Sequence, residues 1–485
     1  MVNIENTMIN PLLCKMRLLF FILLFTQQLL TTAQNTPTTA IVRDFIVEGN
    51  QKTKFTTVTR ELTIGVGDTI PLSQLAIKLE ENRLRLLGTG LFNDVKINVK
   101  NWTLDDKVSI VISISESWYF YPVPIIELAD RDFNVWWKEY HHDLRRTNYG
   151  VRLVHSNFTG RRDAFSTLIQ FGYTPKFSLG YNLPYLNKKQ TIGAYIGAYY
   201  ATNREVGYKT DSNRVVFFKN PLATVLTRFS YNASLNYVPG LYDRYSWSAG
   251  YSKQTLDTAV TDRLNRDYFL DSRTSQTYFW ASFDYATDTR DFKPYPTKGH
   301  TIGVSISKLG LFKQDNVNAL NVSFNLEQYV KISQKWCLET VLRTKANLIR
   351  KPMPYNFQRA IGYGSDYLRG YELFVVDGSD FGLLKNSLRY ELFDRDFNFA
   401  RFVNNNKFLS NFTSFSLKVF LSGNFDIGYA YTPQYKPENN FNNRLLYGGG
   451  IGLNVLAYHS MLWQLEYSFN HTGKGGFFVH YKSGF

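Results

Sequence analysis

The sequence predicts a transmembrane β-barrel of about 16 antiparallel strands, preceded by a small α+β domain with the element order β-α-α-β-β. Strand-length runs alternate apolar and polar residues, and aromatic residues form 16% of the 485-residue chain although its mean hydropathy is −0.26. After the N-terminus, no apolar run reaches the ~20 residues that a membrane-spanning helix needs. Interleaved apolar and polar residues are typical of strands that cross a membrane.

Residues 1–33 are predicted to be an export signal. Two basic residues precede the apolar stretch Leu18–Phe25, and Thr31–Ala33 supplies the small residues that a signal peptidase needs. Met16 is an alternative start to Met1. A membrane anchor helix is the other interpretation, but the apolar stretch is too short to favour it.

Charge and cysteine content limit the further possibilities. Cys14 would leave with the signal, so Cys337 would stand alone and no intramolecular disulfide is predicted. The formal net charge is +15. Such a charge favours phosphorylated lipids or acidic client proteins as partners, and it fits equally well with charge spread over a water-filled lumen and loops.

Residues 40–116 are predicted to form the α+β domain. Apolar alternation indicates the strands, while leucine spacing and a proline near the start indicate the longer helix. The predicted elements are a strand at Ile41–Glu48, helices at Lys54–Leu62 and Asp68–Leu87, and strands at Leu91–Val99 and Val108–Ser115.

Residues 120–485 are predicted to form the barrel, because the helical pattern disappears near Trp118. Along 320–327, for example, Leu, Val, Phe and Leu alternate with Asn, Ser, Asn and Glu. Successive side chains of a strand point to opposite faces, so one face is continuously apolar. A soluble β-protein would alternate too, but the export signal and the many long strands favour a membrane barrel. At roughly 22–24 residues per strand and turn, the region accommodates about 16 strands.

The glycine-rich segment Ile361–Tyr371 contains a single arginine, Arg369. Further along, apolar residues alternate with polar ones over Phe415–Gly428, and this alternation places Asp426 on the polar face. An arginine in a loop and a carboxylate inside a barrel would form an ion pair if the loop folded inward, since the guanidinium fork binds carboxylates well. An exposed arginine and a solvated aspartate are the alternative. A wet lumen would screen such a pair.

The N-terminal region resembles a POTRA (polypeptide-transport-associated) domain. The resemblance is carried by Gly49-Asn50 after the first strand, by Arg60-Glu61-Leu62, and by Gly90-Leu91-Phe92 at the start of a strand. It implies a periplasmic domain whose sheet edges bind client strands by β-augmentation.

The barrel resembles the BamA-like family of outer-membrane assembly and secretion barrels, also called the surface antigen family. The motifs are Asp288–Asp291 followed by Pro296–Gly299, Leu368-Arg369-Gly370-Tyr371, and Phe425–Gly428. The resemblance implies that the loop with Gly364 and Arg369 folds back into the barrel and meets Asp426.

The last strand is expected to serve as a C-terminal signal during the barrel's own assembly. It places Phe477, Val479, Tyr481 and Phe485 on one face. In the family, the first and last barrel strands form a weak seam that is the proposed route for clients. The glycines just before this strand are expected to weaken its pairing.

The resemblance implies insertion or translocation of other proteins at the bacterial outer membrane, without enzymatic activity, cofactor or metal. The implied partners are unfolded outer-membrane or exported client proteins, outer-membrane lipids and accessory lipoproteins, with no nucleic acid. A two-partner-secretion exporter of one dedicated client is an alternative, and a passive porin is a less favoured one. His141-His142-Asp143 is expected in a loop rather than at a metal, because neighbouring strand residues point in opposite directions.

Overall fold

The computed structural model describes residues 38–187, 189–398, 414–458 and 460–483. The predicted export signal and Phe485 lie outside these residues. The chain divides into two compact units, residues 1–117 and 118–485. In the described part, no helix combines the length and the apolar character needed to cross a membrane.

The first unit is a four-stranded sheet with two helices. Its elements are β1 (Thr39–Glu48), α1 (Phe55–Thr59), β2 (Thr69–Pro71), α2 (Leu72–Gly88), β3 (Phe92–Lys100) and β4 (Lys107–Glu116). The sheet order is β2-β1-β4-β3, and only the β1–β4 pair is parallel. Val108, Ile110 and Ile112 of the central strand β4 are fully buried, and Leu86 of α2 is buried as well, as the alternation of apolar residues predicts.

The structure adds the three-residue strand β2 to the predicted elements. The second helix therefore begins at Leu72 rather than at Asp68, because residues 69–71 pair with 39–41 of β1. Pro71 stands immediately before the helix, with φ −57°. A proline suits this position, because the first turn of a helix has no acceptor for its N–H.

The second unit is a 16-stranded antiparallel sheet, which confirms the predicted barrel. Two of its long connections carry hairpins, β10–β11 and β18–β19. In chain order the strands are β5 (Phe120–Leu128), β6 (Thr147–Ser156), β7 (Ala164–Gly172), β8 (Lys176–Leu183), β9 (Ile192–Asn203), β10 (Glu205–Asp211), β11 (Arg214–Lys219), β12 (Leu226–Tyr237), β13 (Asp243–Leu256), β14 (Ser275–Asp288), β15 (Gly299–Leu309), β16 (Ala319–Lys331), β17 (Trp336–Asn347), β18 (Arg359–Ile361), β19 (Val376–Asp377), β20 (Asp380–Asn398), β21 (Ser414–Tyr431), β22 (Leu445–Ala457), β23 (Met461–Asn470) and β24 (Gly475–Ser483).

Apart from the two hairpins in the connections, each barrel strand pairs with the barrel strands before and after it in the chain, and β5 and β24 are the two ends of the sheet. Among the described residues, no backbone pairing joins these two end strands. Gly475 and Gly476 pair in register with Phe469 and Ser468, so the last strand begins at these glycines rather than after them. The expected weakening of this pair by the glycines stays a prediction.

One helix of the barrel unit is absent from the sequence prediction. Helix α3 spans Phe133–Lys138 in the connection between β5 and β6. Six residues are too few for a helical period to stand out from neighbouring strands. Its N-terminal cap, Asp132, accepts a hydrogen bond from the Val135 backbone N–H at 2.9 Å, and this was the available signal. Trp136 and Trp137 lie in this helix.

Candidate functional site

The loop between β17 and β20 runs against the inner wall of the barrel. Three of its glycines have positive φ angles, 89° at Gly362, 65° at Gly364 and 82° at Gly370. A Cβ atom at Gly370 would lie 2.4 Å from the carbonyl carbon of Phe469 in β23. Only glycine allows this backbone path at so short a distance from the wall.

Arg369 at the tip of the loop binds side chains from three strands. Its Nη1 donates to Asp426 Oδ1 on β21 at 2.8 Å, and its Nε lies 3.2 Å from both carboxylate oxygens of Glu466 on β23. Its Nη2 donates to the Ser387 hydroxyl on β20 at 3.1 Å. The backbone N–H of Arg369 also donates to Asp426 Oδ2 at 3.0 Å. The guanidinium is thus shared between two carboxylates, whereas the sequence indicated only one.

These charged groups are buried rather than screened by water, which differs from the sequence expectation. Asp426 is 0% exposed, Glu466 2% and Arg369 5%. A pair without access to solvent holds its geometry more strongly than a surface pair, and loss of one partner is costly.

The backbone at the loop tip is fastened as well. The Gly370 N–H donates to the Ser468 hydroxyl at 3.0 Å, and the Asn470 amide donates to the Gly370 carbonyl at 2.8 Å. A Cβ atom at Gly448 of β22 would lie 2.1 Å from the Arg369 carbonyl oxygen. Gly448 therefore makes the space into which the loop tip fits.

Apolar residues flank Arg369 on both sides. Leu368 and Tyr371 are buried in a cluster that includes Ile361 of β18 and Leu446 of β22. The Tyr371 hydroxyl also donates to the Tyr447 carbonyl at 3.3 Å. The leucine and the tyrosine of the predicted motif therefore anchor the loop by packing, while the arginine anchors it by charge.

Other strands hold the loop from further sides. Arg343 of β17 donates to Asp366 Oδ1 at 2.9 Å, and Lys385 of β20 donates to the Tyr367 carbonyl at 3.1 Å. From the β5–β6 connection, Arg131 Nη1 donates to the carbonyls of Gly362 at 2.5 Å and Phe374 at 3.0 Å. The loop is therefore held both by barrel strands and by the connection that follows β5.

Glu372, Glu466 and His480 form the one group of potential metal ligands in the described residues, with ligand atoms within 4.8 Å of one another. Burial raises the pKa of the loop carboxyl of Glu372 to about 8. Glu466 is already neutralised by Arg369 at 3.2 Å, so a divalent cation here would face a buried guanidinium. We assign no metal to the group.

The POTRA-like motif lies at turns of the first unit. Gly49 has φ 86°, and a Cβ atom there would lie 2.2 Å from the Ile114 carbonyl oxygen. The Asn50 amide donates to the Thr53 carbonyl at 3.1 Å. Gly90 has φ 73° at the start of β3, where Leu91 and Phe92 are buried. The motif thus shapes two turns and the core.

The C-terminal strand presents aromatic residues outward. Phe477 and Tyr481 of β24 are exposed and pack across the strand pair against Tyr467 and Trp463, with ring centroids 4.9 and 4.6 Å apart. Val479 lies between them on the same face.

Sequence reasoning missed Glu466, Ser387 and Gly448 as members of the site. The available signal was strand parity, because Glu466 stands on the polar face of β23 among alternating aromatic and aliphatic residues. Parity gives the face of a strand, but it does not give the height along the barrel wall.

Comparison with known proteins agrees with the barrel fold. Residues 157–389 match the model of the Omp85 superfamily domain. BamA from Haemophilus ducreyi lacking POTRA domains 1–3 has a TM-score of 0.67 at 14% identity, with 91% of this chain and 84% of that chain covered. CdiB from Escherichia coli has a TM-score of 0.53 at 12% identity, with 91% and 75% covered. No curated protein matches the sequence.

The fold and the site define an outer-membrane β-barrel with a loop folded into its lumen. Residues 157–389 match the Omp85 superfamily domain and the fold is BamA-like, which confirms the resemblance indicated by the sequence motifs.

Proposed function

We propose that this chain inserts proteins into the bacterial outer membrane or translocates them across it, with the small N-terminal unit in the periplasm. The observation that carries the proposal is that, within the part of the chain that the structure describes, no backbone pairing joins β5 to β24. An unpaired strand edge presents backbone N–H and C=O groups that can add a client strand. The superfamily match and the BamA-like fold support this function.

The loop folded into the lumen argues against a passive porin. A porin needs an open aqueous channel, whereas here the loop with Arg369 and Leu368 packs against the inner wall and narrows the lumen. No nucleotide, cofactor or catalytic step is part of the proposal, since strand addition is driven by backbone hydrogen bonds and by burial of apolar surface in the membrane.

The first unit offers an edge for initial capture of a client. Strand β3 (Phe92–Lys100) pairs only with β4, so its other side has no strand partner among the described residues. The outer side of β1 is partly covered, because β2 pairs with its residues 39–41. We therefore place the augmentation surface on β3 and on the later part of β1, rather than along all of 41–48.

Reconstitution tests the proposal directly. The full chain would be placed in lipid vesicles, unfolded outer-membrane barrels would be added, and folded client would be measured by protease protection and by heat-modifiable migration in gels. Faster client folding than in empty vesicles is the expected result. Vesicles that leak small solutes without accelerating any client would contradict insertion and would indicate a porin. Activity toward one exported client alone would identify a dedicated exporter.

A further inference from the structure

A side chain occupies the free edge of the last barrel strand. Asn134 of α3 donates from Nδ2 to the Val479 carbonyl at 3.1 Å, and the Val479 N–H donates to Asn134 Oδ1 at 2.8 Å. Asn134 is 3% exposed. The carboxamide thus makes the same donor and acceptor pair that a neighbouring strand would make.

Because of where Val479 stands in β24, its contact with Asn134 prevents another strand from pairing with the outer edge of β24 at this residue. Within an antiparallel pair, residues alternate between those that bond their partner strand and those that face away from it. Val479 stands opposite Leu465 of β23 and directs its backbone groups to Asn134, so it belongs to the outward set, with Phe477 and Tyr481. Asn134 therefore sits near the middle of the edge that a new strand must use.

Helix α3 is held rigidly enough to keep Asn134 there. Asp132 caps the helix through the Val135 N–H, and Trp136, which is buried, donates from Nε1 to the Asp143 carbonyl at 3.0 Å. At the other end of the helix, Lys138 Nζ lies 4.2 Å from the ring centroid of Phe478 in β24. Both ends of the helix are thus held by contacts, and both also contact β24, through Asn134 and Lys138.

The opposite strand is poorly equipped to pair with β24 itself. Strand β5 contains Pro122 and Pro124, and proline has no backbone N–H to give to a strand ladder. The connection that follows β5 instead supplies the side chain of Asn134, which bonds the β24 edge at Val479.

We propose that Asn134 is a latch that covers the β24 edge at Val479 until an extended segment with free backbone groups displaces it. The occupant that fits is a β-strand of a client protein, because it offers the same N–H and C=O pair in repeating form. The inference rests on the proposed function, but the latch itself is measurable without any client.

Hydrogen exchange of the full chain in lipid nanodiscs tests the latch. Asn134→Ala removes two hydrogen bonds from the β24 edge, so the amides of 475–483 are expected to exchange about tenfold faster or more than in the wild type. The matched control is Asn443→Gly. Asn443 makes the same reciprocal pair with the Thr432 backbone, both at 2.9 Å, in the β21–β22 connection. Its φ of 56° is one that glycine adopts easily.

Unchanged exchange of 475–483 in Asn134→Ala, or an equal increase in Asn443→Gly, would overturn the latch. If Asn134→Ala does not fold, Asn134→Leu replaces it, since leucine fills the buried site and offers neither the acceptor for the Val479 N–H nor the donor to its carbonyl. Faster exchange in this variant supports the latch, and unchanged exchange overturns it. Faster exchange together with a wild-type protein that folds no client retains the latch and removes the insertion function. If the wild type folds clients but exchange in the Asn134 variant is unchanged, the insertion function is retained and the latch is removed.

Discussion

Replacing Arg369 by alanine should destabilise the barrel far more than a surface substitution does. The change leaves Asp426 and Glu466 buried without their shared cation. Removal of one partner from a buried ion pair costs about 3–5 kcal/mol. Asp426 would keep its bond from the backbone N–H of residue 369 at 3.0 Å, and Lys385 Nζ lies 3.9 Å away. These remaining partners place the expected loss near the lower end, about 3 kcal/mol.

The free energy of unfolding can be measured by guanidinium titration of the barrel in detergent micelles, with tryptophan fluorescence as the signal. Lys418→Ala is the matched control. Its Nζ lies 2.7 Å from Asp394, but both side chains are more than a third exposed, at 34% and 40%. The expected loss of unfolding free energy is therefore at most about 1 kcal/mol. Arg369→Lys should recover part of the loss, because lysine restores the charge but not the planar fork. A loss for Arg369→Ala no larger than that of Lys418→Ala would refute the reasoning.

Three further outcomes are expected. Gly448→Ala should cost about 1–3 kcal/mol of unfolding free energy, because its Cβ would meet the Arg369 carbonyl oxygen at 2.1 Å, whereas Gly423→Ala on β21 meets nothing within 4 Å and should be nearly neutral. Gly49→Ala should lower the melting temperature of the first unit more than Gly67→Ala, since both have positive φ but only Gly49 also meets a carbonyl, at 2.2 Å. The pKa of Glu372 is raised to about 8 in the folded protein against 4.5 ordinarily, so stability should fall as pH rises from about 5 to 8. Glu372→Gln should remove that fall, as unfolding midpoints at both pH values would show.

From the sequence, the alternation of side chains along a strand identified one of the two carboxylates that bind Arg369. Alternation along β21 places Asp426 on the inner face without reference to any other strand. The second carboxylate, Glu466, lies two strands away on β23, and its contact with Arg369 depends on the register of β21, β22 and β23. Register is fixed by pairing across several strands, so a single sequence does not give it.

The burial of the site was not predictable for a related reason. A polar inner face looks water-filled when each strand is considered alone. The loop removes that water only because Gly448 and Gly428 leave room for its backbone and for Leu368, whose Cδ1 atom would lie 2.7 Å from a Cβ at Gly428. A strand glycine in a sequence signals a bulge, a bend or a close approach, and the partner that approaches is known only from the fold.

The unequal strength of its anchors decides how the loop should behave when β5 and β24 separate. On one side, Arg369 binds two buried carboxylates on β21 and β23. On the other side, Arg131 from the β5–β6 connection binds only the neutral carbonyls of Gly362 and Phe374. A hydrogen bond between two charged groups is stronger than one in which a single partner is charged. We therefore expect the contacts of Arg131 to break first and the loop to stay with β21–β23, as a brace of the C-terminal wall rather than as the part that moves.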